Sequence, residues 1–304
     1  MIAESFAPPL NGPEGIPAGF WDSLPPPFDH PPFPFHVLDL RLDLNIPPVL
    51  GERVRARLAL QDKESPETRV HPVLVHPSPK PQFKARRSTP EEYRIDFVEQ
   101  GEHLGFYAYY AAARLHLASG RAVAALAPGP DAHIPGEVEN LLRILSSAYL
   151  VGDEAFLLHS SAVVTPSGAY VFVGHSGAGK STSALMFQEA GHPVLSDDLN
   201  ILCRRKGRWE VQASPFLSEV KRVLPGRHSI RALYFLFQDR ENFIGEPTAA
   251  SRMAYIYSNL VVVNGIPGLA PGIFTLLGDL DRSVPIRALH FKKDKELVPW
   301  LLSR

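Results

Sequence analysis

The sequence predicts an α/β protein built from two regions of different composition. Of the 30 prolines, 21 lie before residue 136. Apolar and polar residues alternate in several stretches of this first part, whereas helical apolar spacing and short apolar runs follow it. Residues 174–182, GHSGAGKST, form a glycine-rich bend between a predicted strand and a predicted helix. We therefore expect a Pro-rich, β-rich domain over residues 1–135, followed over residues 136–304 by an α/β domain that contains the bend.

The first region begins with a proline-rich arm over residues 1–34, which includes LPPPFDHPPFPF. Proline fixes φ and removes an amide donor, so the arm should be extended. It either packs over its own domain or serves as a ligand for a proline-binding module. Beyond it, alternating residues separated by proline-bearing turns predict a mostly antiparallel sheet. The predicted strands cover residues 35–46 and stretches near 53–60, 93–98 and 113–117.

The second region follows a predicted linker, APGPDAHIPG, and reads as alternating helices and strands. Gly191 should end the helix that starts at the bend. The predicted elements are a helix at 137–151, strands at 156–164 and 169–174, a helix at 180–192, a strand at 193–198, apolar segments at 232–237 and 259–263, and a helix near 248–258.

Composition excludes several classes of function. A formal charge of -1 gives no broad attraction to nucleic acid, so we expect no nucleic-acid partner. No apolar run approaches the roughly 18 residues of a spanning helix, and the start, MIAESFAPPL, lacks a signal-peptide pattern. We expect no membrane association and a cytoplasmic location. Cys203 is the only cysteine, which excludes an internal disulfide and a cysteine zinc cluster.

The glycine-rich bend matches the pattern G-x-x-x-x-G-K-[ST] through Gly174, Gly179, Lys180 and Ser181. In such a bend, successive backbone amides and the positive end of the following helix converge on a polyphosphate. Lys180 would reach the β and γ phosphates, and the Ser181 hydroxyl would bind Mg²⁺. The predicted nucleotide contacts are Gly174, His175, Ser176, Gly177, Ala178, Gly179, Lys180, Ser181 and Thr182.

Two adjacent carboxylates, Asp197 and Asp198, follow Lys180 after only seventeen residues, at the end of a predicted strand. Beside a polyphosphate, one carboxylate can bind the metal while the other accepts a proton from an attacking hydroxyl. Away from such a site, the pair would read as a helix cap or a turn. The interval is short for a P-loop ATPase and favours a different fold around the loop.

These residues resemble the catalytic domain of the HPr kinase/phosphorylase family, which is related to the nucleotide domain of phosphoenolpyruvate carboxykinase. The resemblance rests on HSSAVV, with His159 fifteen residues before Gly174, then on GHSGAGKST and the helix ending AGHPVLSDD. The runs ASPF and RALYFLFQDRENFI are similar to divergent kinase-like members. It covers residues from about 145 to 240 and continues weakly to 304. It implies a carboxykinase-like P-loop domain with a mixed sheet.

The resemblance also implies roles for single residues. Asp197 would be the catalytic base toward a seryl hydroxyl, and Asp198 and Ser181 would hold Mg²⁺. His159 and Lys180 would act at the reacting phosphate. Without the resemblance, His159 would read as a histidine satisfied within its strand.

Two further positions come from the signature loop of the family. Glu219, in SEVKR, matches a glutamate of that loop and would be a metal or substrate ligand, the alternative being a surface carboxylate. Lys221 stands where the family has an arginine. This departure, together with a later catalytic arginine that has no counterpart here, argues against the reverse reaction, phosphorolysis.

Together these features predict an ATP- and Mg²⁺-dependent kinase that transfers the γ-phosphoryl group to a hydroxyl. By resemblance, the acceptor is a serine of a small protein or peptide, and the enzyme is a homo-oligomer. Two alternatives stay open: a regulatory ATP-binding module without an acceptor, and a small-molecule kinase acting on free serine or a sugar-like alcohol. A positioned base favours transfer, since a nucleotide switch needs none.

Overall fold

A computed structural model of the chain describes residues 19–59, 65–83, 95–216, 224–261 and 266–304. Two of the residues singled out above, Glu219 and Lys221, lie outside these ranges, as does the first part of the predicted arm. The chain divides into two compact units, one comprising Met1–Arg57 and Lys63–Ser146 and the other Leu58–Asp62 and Ser147–Arg304.

The first unit is built on a seven-stranded mixed sheet and contains the short helix α1, at Pro48–Arg55. The strands run in the order β1-β2-β3-β7-β6-β5-β4. Pairing is antiparallel except for β2 with β3 and β3 with β7. The strands are β1 (Phe33–Val37), β2 (Leu40–Leu44), β3 (Arg69–Pro77), β4 (Asp96–Gln100), β5 (His103–Tyr107), β6 (Ala111–His116) and β7 (Arg121–Leu126).

The described end of the proline-rich arm packs onto its own unit. A single turn of 3-10 helix at Trp21–Ser23 places Phe20 and Trp21 in a buried cluster with Phe83 and Tyr107. The amide of Phe28 donates to the carbonyl of Val75 in β3 at 3.0 Å. This arrangement agrees with the first of the two interpretations of the arm.

Two sequence predictions for this unit need correction. The stretch 35–46 forms two strands rather than one, because the chain turns at Leu38, whose φ is 52°. The predicted strand near 53–60 is wrong, since most of it lies in α1 and the turn after it. Pro48 occupies the first turn of α1, where its fixed φ suits a helix and no amide is needed.

The second unit contains an eight-stranded mixed sheet with helices on both faces. Helix α2, at Ile134–Gly152, begins within the segment predicted as a linker and continues past the division between the units. The other helices are α3 (Lys180–Glu189), α4 (Ala249–Ser258), α5 (Ala270–Ser283) and α6 (Leu297–Leu302). The strands are β8 (Ala155–Thr165), β9 (Gly168–Val173), β10 (Val194–Ser196), β11 (Leu199–Arg205), β12 (Arg208–Ala213), β13 (His228–Gln238), β14 (Phe243–Gly245) and β15 (Ile286–Phe291).

Strand pairing in this sheet determines where the loops meet. Strands β9, β13 and β15 are parallel neighbours in that order, with β14 at the edge. Strand β8 pairs antiparallel with β9, β10 and β11. The carboxyl ends of β9, β13 and β15 therefore lie at one end of the sheet, where ligands bind in many α/β folds.

Successive side chains of each strand point to opposite faces of the sheet, so the hydrophobic core has one part on each face. Val171 and Phe235 pack with residues of α4 and α5. Phe172, Tyr234 and Phe291 pack with residues of α3 and α6 on the other face. Both faces are thus buried, and the protein is of the α/β class, as the sequence predicts. None of the helices in the described part of the chain is both long and apolar enough to cross a membrane.

Candidate functional site

The glycine-rich bend, residues 174–182, connects β9 to α3 and depends on two glycines. A Cβ on Gly174 would lie 2.6 Å from the Cβ of Ala178, so only glycine lets the chain cross itself there. Gly179, just before α3, has a φ of 108°, and a Cβ on it would lie 2.6 Å from Cζ of Phe291. The bend is therefore held in a conformation that other residues would strain.

The first turn of α3 faces the bend with its backbone amides. The residue that precedes this helix, Gly179, has no side chain with which to cap its first amides. The first amides of a helix lack partners within the helix, and they carry the positive end of its dipole. The start of α3 is thus suited to an anion.

Lys180 is buried at the start of α3, and its ammonium group folds back over the bend. Its Nζ donates to the carbonyl of Gly174 at 2.7 Å and to that of His175 at 3.3 Å. Burial lowers the pKa of Lys180, while the carboxylates of Asp198 and Asp197 act in the opposite direction.

Asp197 and Asp198 occupy the break between β10 and β11, both of which pair with β8. The hydroxyl of Ser196 accepts hydrogen bonds from the amides of Asp198 at 3.2 Å and Leu199 at 3.3 Å. The carbonyl of Asp198 accepts a hydrogen bond from the amide of Ser160 in β8 at 2.9 Å. The backbone that carries the two carboxylates is therefore fixed from both sides.

Strand β8 joins this carboxylate pair to the glycine-rich bend through three successive residues. Nδ1 of His159 lies 3.1 Å from Oδ1 of Asp198. Ser160 binds the Asp198 backbone, as described above, and the Ser161 hydroxyl donates to the carbonyl of Lys180 at 3.1 Å. Asn200 reinforces the strand, since its Nδ2 donates to the carbonyl of Ser160 at 2.7 Å. The HSS run thus aligns both parts of the site.

These elements enclose one cleft of about 630 Å³ in the second unit. Of the nine residues of the bend, six line it. Asp197 is only 4% exposed at its wall, whereas the side chain of Asp198 is 42% exposed. The lining residues are His159, Ser176, Gly177, Gly179, Lys180, Ser181, Thr182, Asp197, Asp198 and Lys293.

Two residues at the site were missed by sequence reasoning. Lys293, which follows β15, lines the cleft and is exposed. Gln238, at the end of β13, donates from Nε2 to the carbonyl of Gly177 at 2.6 Å. Gln238 contacts the bend and Lys293 lies at the cleft because β13 and β15 run parallel to β9. No local motif in the sequence indicates that pairing. Lys293 in particular lies in KKDK, a run that looks like any exposed basic segment.

The polar side chains that line the cleft are hydroxyls, carboxylates, two lysines and the imidazole of His159. Across the described ranges, no three or more His, Cys, Asp or Glu side chains are grouped so that they could hold a metal ion. A divalent ion at a nucleotide is commonly held by one or two protein oxygens together with phosphates and water, so such a group is not required. Ser181 and Asp198 are two of the lining residues that carry oxygen donors, the others being Ser176, Thr182 and Asp197.

The fold and the cleft define a class: an α/β protein in which a glycine-rich bend, a buried lysine and two carboxylates meet at one end of a mixed sheet. No protein-family model matches the chain, and a search of curated proteins finds no match. Function therefore has to be argued from the cleft itself.

Proposed function

We propose that this protein is an ATP-dependent kinase that transfers the γ-phosphoryl group of ATP to a hydroxyl, that of a serine in a small protein or peptide. The observation that carries the proposal is the meeting of Asp197 and Asp198 with the glycine-rich bend in one cleft. A bend of this kind explains nucleotide binding alone. The adjacent buried carboxylate adds a group that can accept a proton.

ATP fits the bend on physical grounds. At Gly174 and Gly179 a side chain would collide with neighbouring atoms, so glycine leaves the backbone accessible there. The start of α3, which has no side-chain cap from Gly179, presents its first backbone amides to an anion. The ammonium of Lys180 now binds two carbonyls of the bend, so phosphate oxygens would be alternative partners for it within the same space. A bound triphosphate would also favour the charged form of this lysine.

Mg²⁺ fits the oxygen donors that line the same cleft as the bend. The Ser181 hydroxyl and the Asp198 carboxylate would hold the ion together with phosphate oxygens. When bound, Mg²⁺ would neutralise negative charge on the phosphates.

In the proposed reaction, Asp197 accepts the proton of the acceptor hydroxyl. The hydroxyl oxygen forms a bond to the γ phosphorus, the bond between that phosphorus and the β-γ bridging oxygen breaks, and ADP leaves with the electron pair. His159, 3.1 Å from Asp198, keeps that carboxylate oriented. Lys293 adds positive charge at the cleft, in the role that an arginine plays in related phosphotransfer sites.

The finer assignment of the fold belongs to the same proposal. A carboxykinase-like P-loop domain is supported by the interval of seventeen residues between Lys180 and Asp197 and by the pairing of β10 and β11 with one strand, β8. The serine acceptor, the homo-oligomer and the cytoplasmic location follow from the resemblance to the HPr kinase/phosphorylase family and from the sequence.

The test is the variant Asp197→Asn, which keeps the shape of the side chain and removes its basicity. The purified protein is incubated with γ-labelled ATP, Mg²⁺ and serine-bearing proteins, peptides and free serine, and transferred label is measured. We expect the variant to lose roughly 100- to 10,000-fold in transfer, because a general base contributes that much. ATP affinity, measured by calorimetry, should stay within about threefold of the parent value.

Glu189→Gln is the matched control, since Glu189 is an exposed carboxylate at the far end of α3 and outside the cleft. It should leave transfer unchanged. Release of free phosphate without any labelled acceptor, or undiminished transfer by Asp197→Asn, would contradict the proposal. Label on free serine but on no polypeptide would leave a kinase with a small-molecule acceptor.

A further inference from the structure

Three rings form a stacked row across the edge of the second sheet: Phe237 of β13, His290 of β15 and Phe243 of β14. The centroids of Phe237 and His290 are 5.1 Å apart with 19° between the ring planes, and those of His290 and Phe243 are 4.1 Å apart with 10°. The three residues are direct cross-strand partners, which places their side chains on one face of the sheet. We call this set the aromatic row.

Both phenylalanines of the aromatic row are exposed. Phe237 is 38% exposed and Phe243 44%. His290 is held between them by Asp239, whose Oδ2 lies 3.2 Å from Nδ1 of the imidazole. Leaving two phenylalanines open to water costs free energy, and an exposed aromatic patch commonly marks a binding surface.

The row lies at the same end of the sheet as the glycine-rich bend. Phe235 is paired with Val173, the last residue of β9, so Phe237 lies two residues further, level with the start of the bend. The neighbouring Gln238 donates to the carbonyl of Gly177. Because β13 lies between β9 and β15, Phe237 is the ring of the row closest to the bend.

A fourth ring, that of Tyr255, lies between the aromatic row and the glycine-rich bend. Tyr255 of α4 has its centroid 5.9 Å from that of Phe237 and 5.4 Å from that of His175 in the bend. It also packs on Phe235, with 4.3 Å between centroids. Aromatic surface is thus continuous from the bend to the row.

We propose that the aromatic row is the binding surface for the base of the nucleotide whose phosphates occupy the glycine-rich bend. This inference rests on the proposed function and adds the place of the base to it. A planar heteroaromatic base stacks on aromatic side chains whatever its hydrogen-bonding edge. With the base on the aromatic row, the phosphates would lie along the bend and extend toward the cleft that contains Asp197 and Asp198.

The experiment compares two ligands in the full-length protein, Mg·ATP and Mg·tripolyphosphate, which lacks the base and the ribose. Phe237→Ala should weaken binding of ATP about tenfold, the usual scale for loss of one stacking partner, and should leave binding of tripolyphosphate unchanged. Phe237→Trp, which keeps an aromatic face, should restore ATP binding. Lys180→Met should weaken both ligands, because the lysine contacts phosphate in each.

Phe274→Ala is the matched control. Phe274 is also an exposed phenylalanine, 46% exposed, stacked on Tyr257 at 5.1 Å in another part of the same unit. It should leave both affinities unchanged. A thermal unfolding scan of each variant checks that the fold is retained.

Equal loss of both ligands in Phe237→Ala, or no loss of ATP, would overturn the inference while leaving the proposed function standing on the Lys180 result. A change of oligomeric state in place of a change in ATP affinity, seen by analytical ultracentrifugation, would also overturn it and would make the row a protein interface. Failure of the parent protein to bind either ligand would remove the proposed function and this inference together.

Discussion

At the scale of single residues, the conformation of the bend depends on its glycines. These glycines differ in how closely other atoms pack around them. Gly177 has a φ of 79°, and apart from its chain neighbours no heavy atom lies within 4 Å of where its Cβ would be. Gly179 has a φ of 108° and would place a Cβ against Phe291, which is fully buried. Substitution at the first position meets only backbone strain, whereas at the second it meets strain and a clash.

We therefore predict that Gly179→Ala lowers the free energy of unfolding more than Gly177→Ala. The expected losses are about 2 kcal/mol for Gly179→Ala and about 1 kcal/mol for Gly177→Ala, from the cost of a left-handed conformation and the added contact. Urea titration of both variants measures them. Equal losses would show that the clash with Phe291 is relieved at no cost.

The residues of the site that sequence could predict are those whose chemistry is local. The bend, its lysine and the paired carboxylates form recognisable patterns over a few residues each, and the structure brings them into one cleft. Lys293 and Gln238 could not be predicted. Their place depends on the pairing of β9 with β13 and of β13 with β15, strands separated by long stretches of chain.

At the scale of elements, the hairpin of β5 and β6 in the first unit carries a pair of histidines. His103 and His116 are cross-strand partners, with ring centroids 4.7 Å apart. Burial lowers the pKa of His103 from its usual 6.5, and the positive charges of His116 and Arg114 lower it further, against an opposite effect of Glu102. The folded protein therefore disfavours protonation of His103.

This pair predicts a pH-dependent stability. Below pH 6.5 the unfolded chain takes up the proton of His103 more readily than the folded chain, so the free energy of unfolding should fall as pH falls through that value toward the lowered pKa. Urea titrations between about pH 5 and pH 8 measure the slope.

His103→Gln should reduce this slope, since its side chain does not titrate. His30→Gln, at an exposed histidine of the same unit, should leave it unchanged. An unaltered slope in His103→Gln would show that another group is responsible.

Elements with strong, sustained periodicity were predictable, and short ones were not. Helices α2, α3 and α4 and strands β8 and β9 agree with the sequence predictions. The stretch near 53–60 was wrongly predicted as a strand because a few apolar residues cannot distinguish a period of two from one of 3.6. Strand β3 was overlooked because Pro72 and Pro77 argue against a strand, although it lies in the interior of the sheet.

At the scale of the whole molecule, every described residue of the candidate site belongs to the second unit. We predict that saturating Mg·ATP slows backbone hydrogen exchange in peptides covering residues 174–182 and 194–199, and leaves the strands of the first unit unchanged. At a free concentration of about 100 times Kd, the ligand stabilises the folded site by about 2.7 kcal/mol, which limits the slowing to roughly 100-fold.

Hydrogen exchange with mass spectrometry measures this protection, and Lys180→Met serves as a control in which it should disappear. Comparable protection of β1 to β7 would contradict the prediction. It would favour the alternative of a regulatory ATP-binding module without an acceptor.

Proline content and apolar periodicity change along the sequence, and this change is the basis for predicting a β-rich part and an α/β part. The α/β class followed from that change. The order of strands could not be anticipated, since parallel pairings such as β2 with β3 and β3 with β7 join segments that no turn connects.

The contacts of β8 have a consequence for anyone who would transplant this cleft into another scaffold. The glycine-rich bend and the carboxylate pair are separate segments along the chain. Their alignment comes from three neighbouring residues of a single strand. A slip of one residue in that strand would turn its side chains to the opposite face, so a graft must include the strand in its native register.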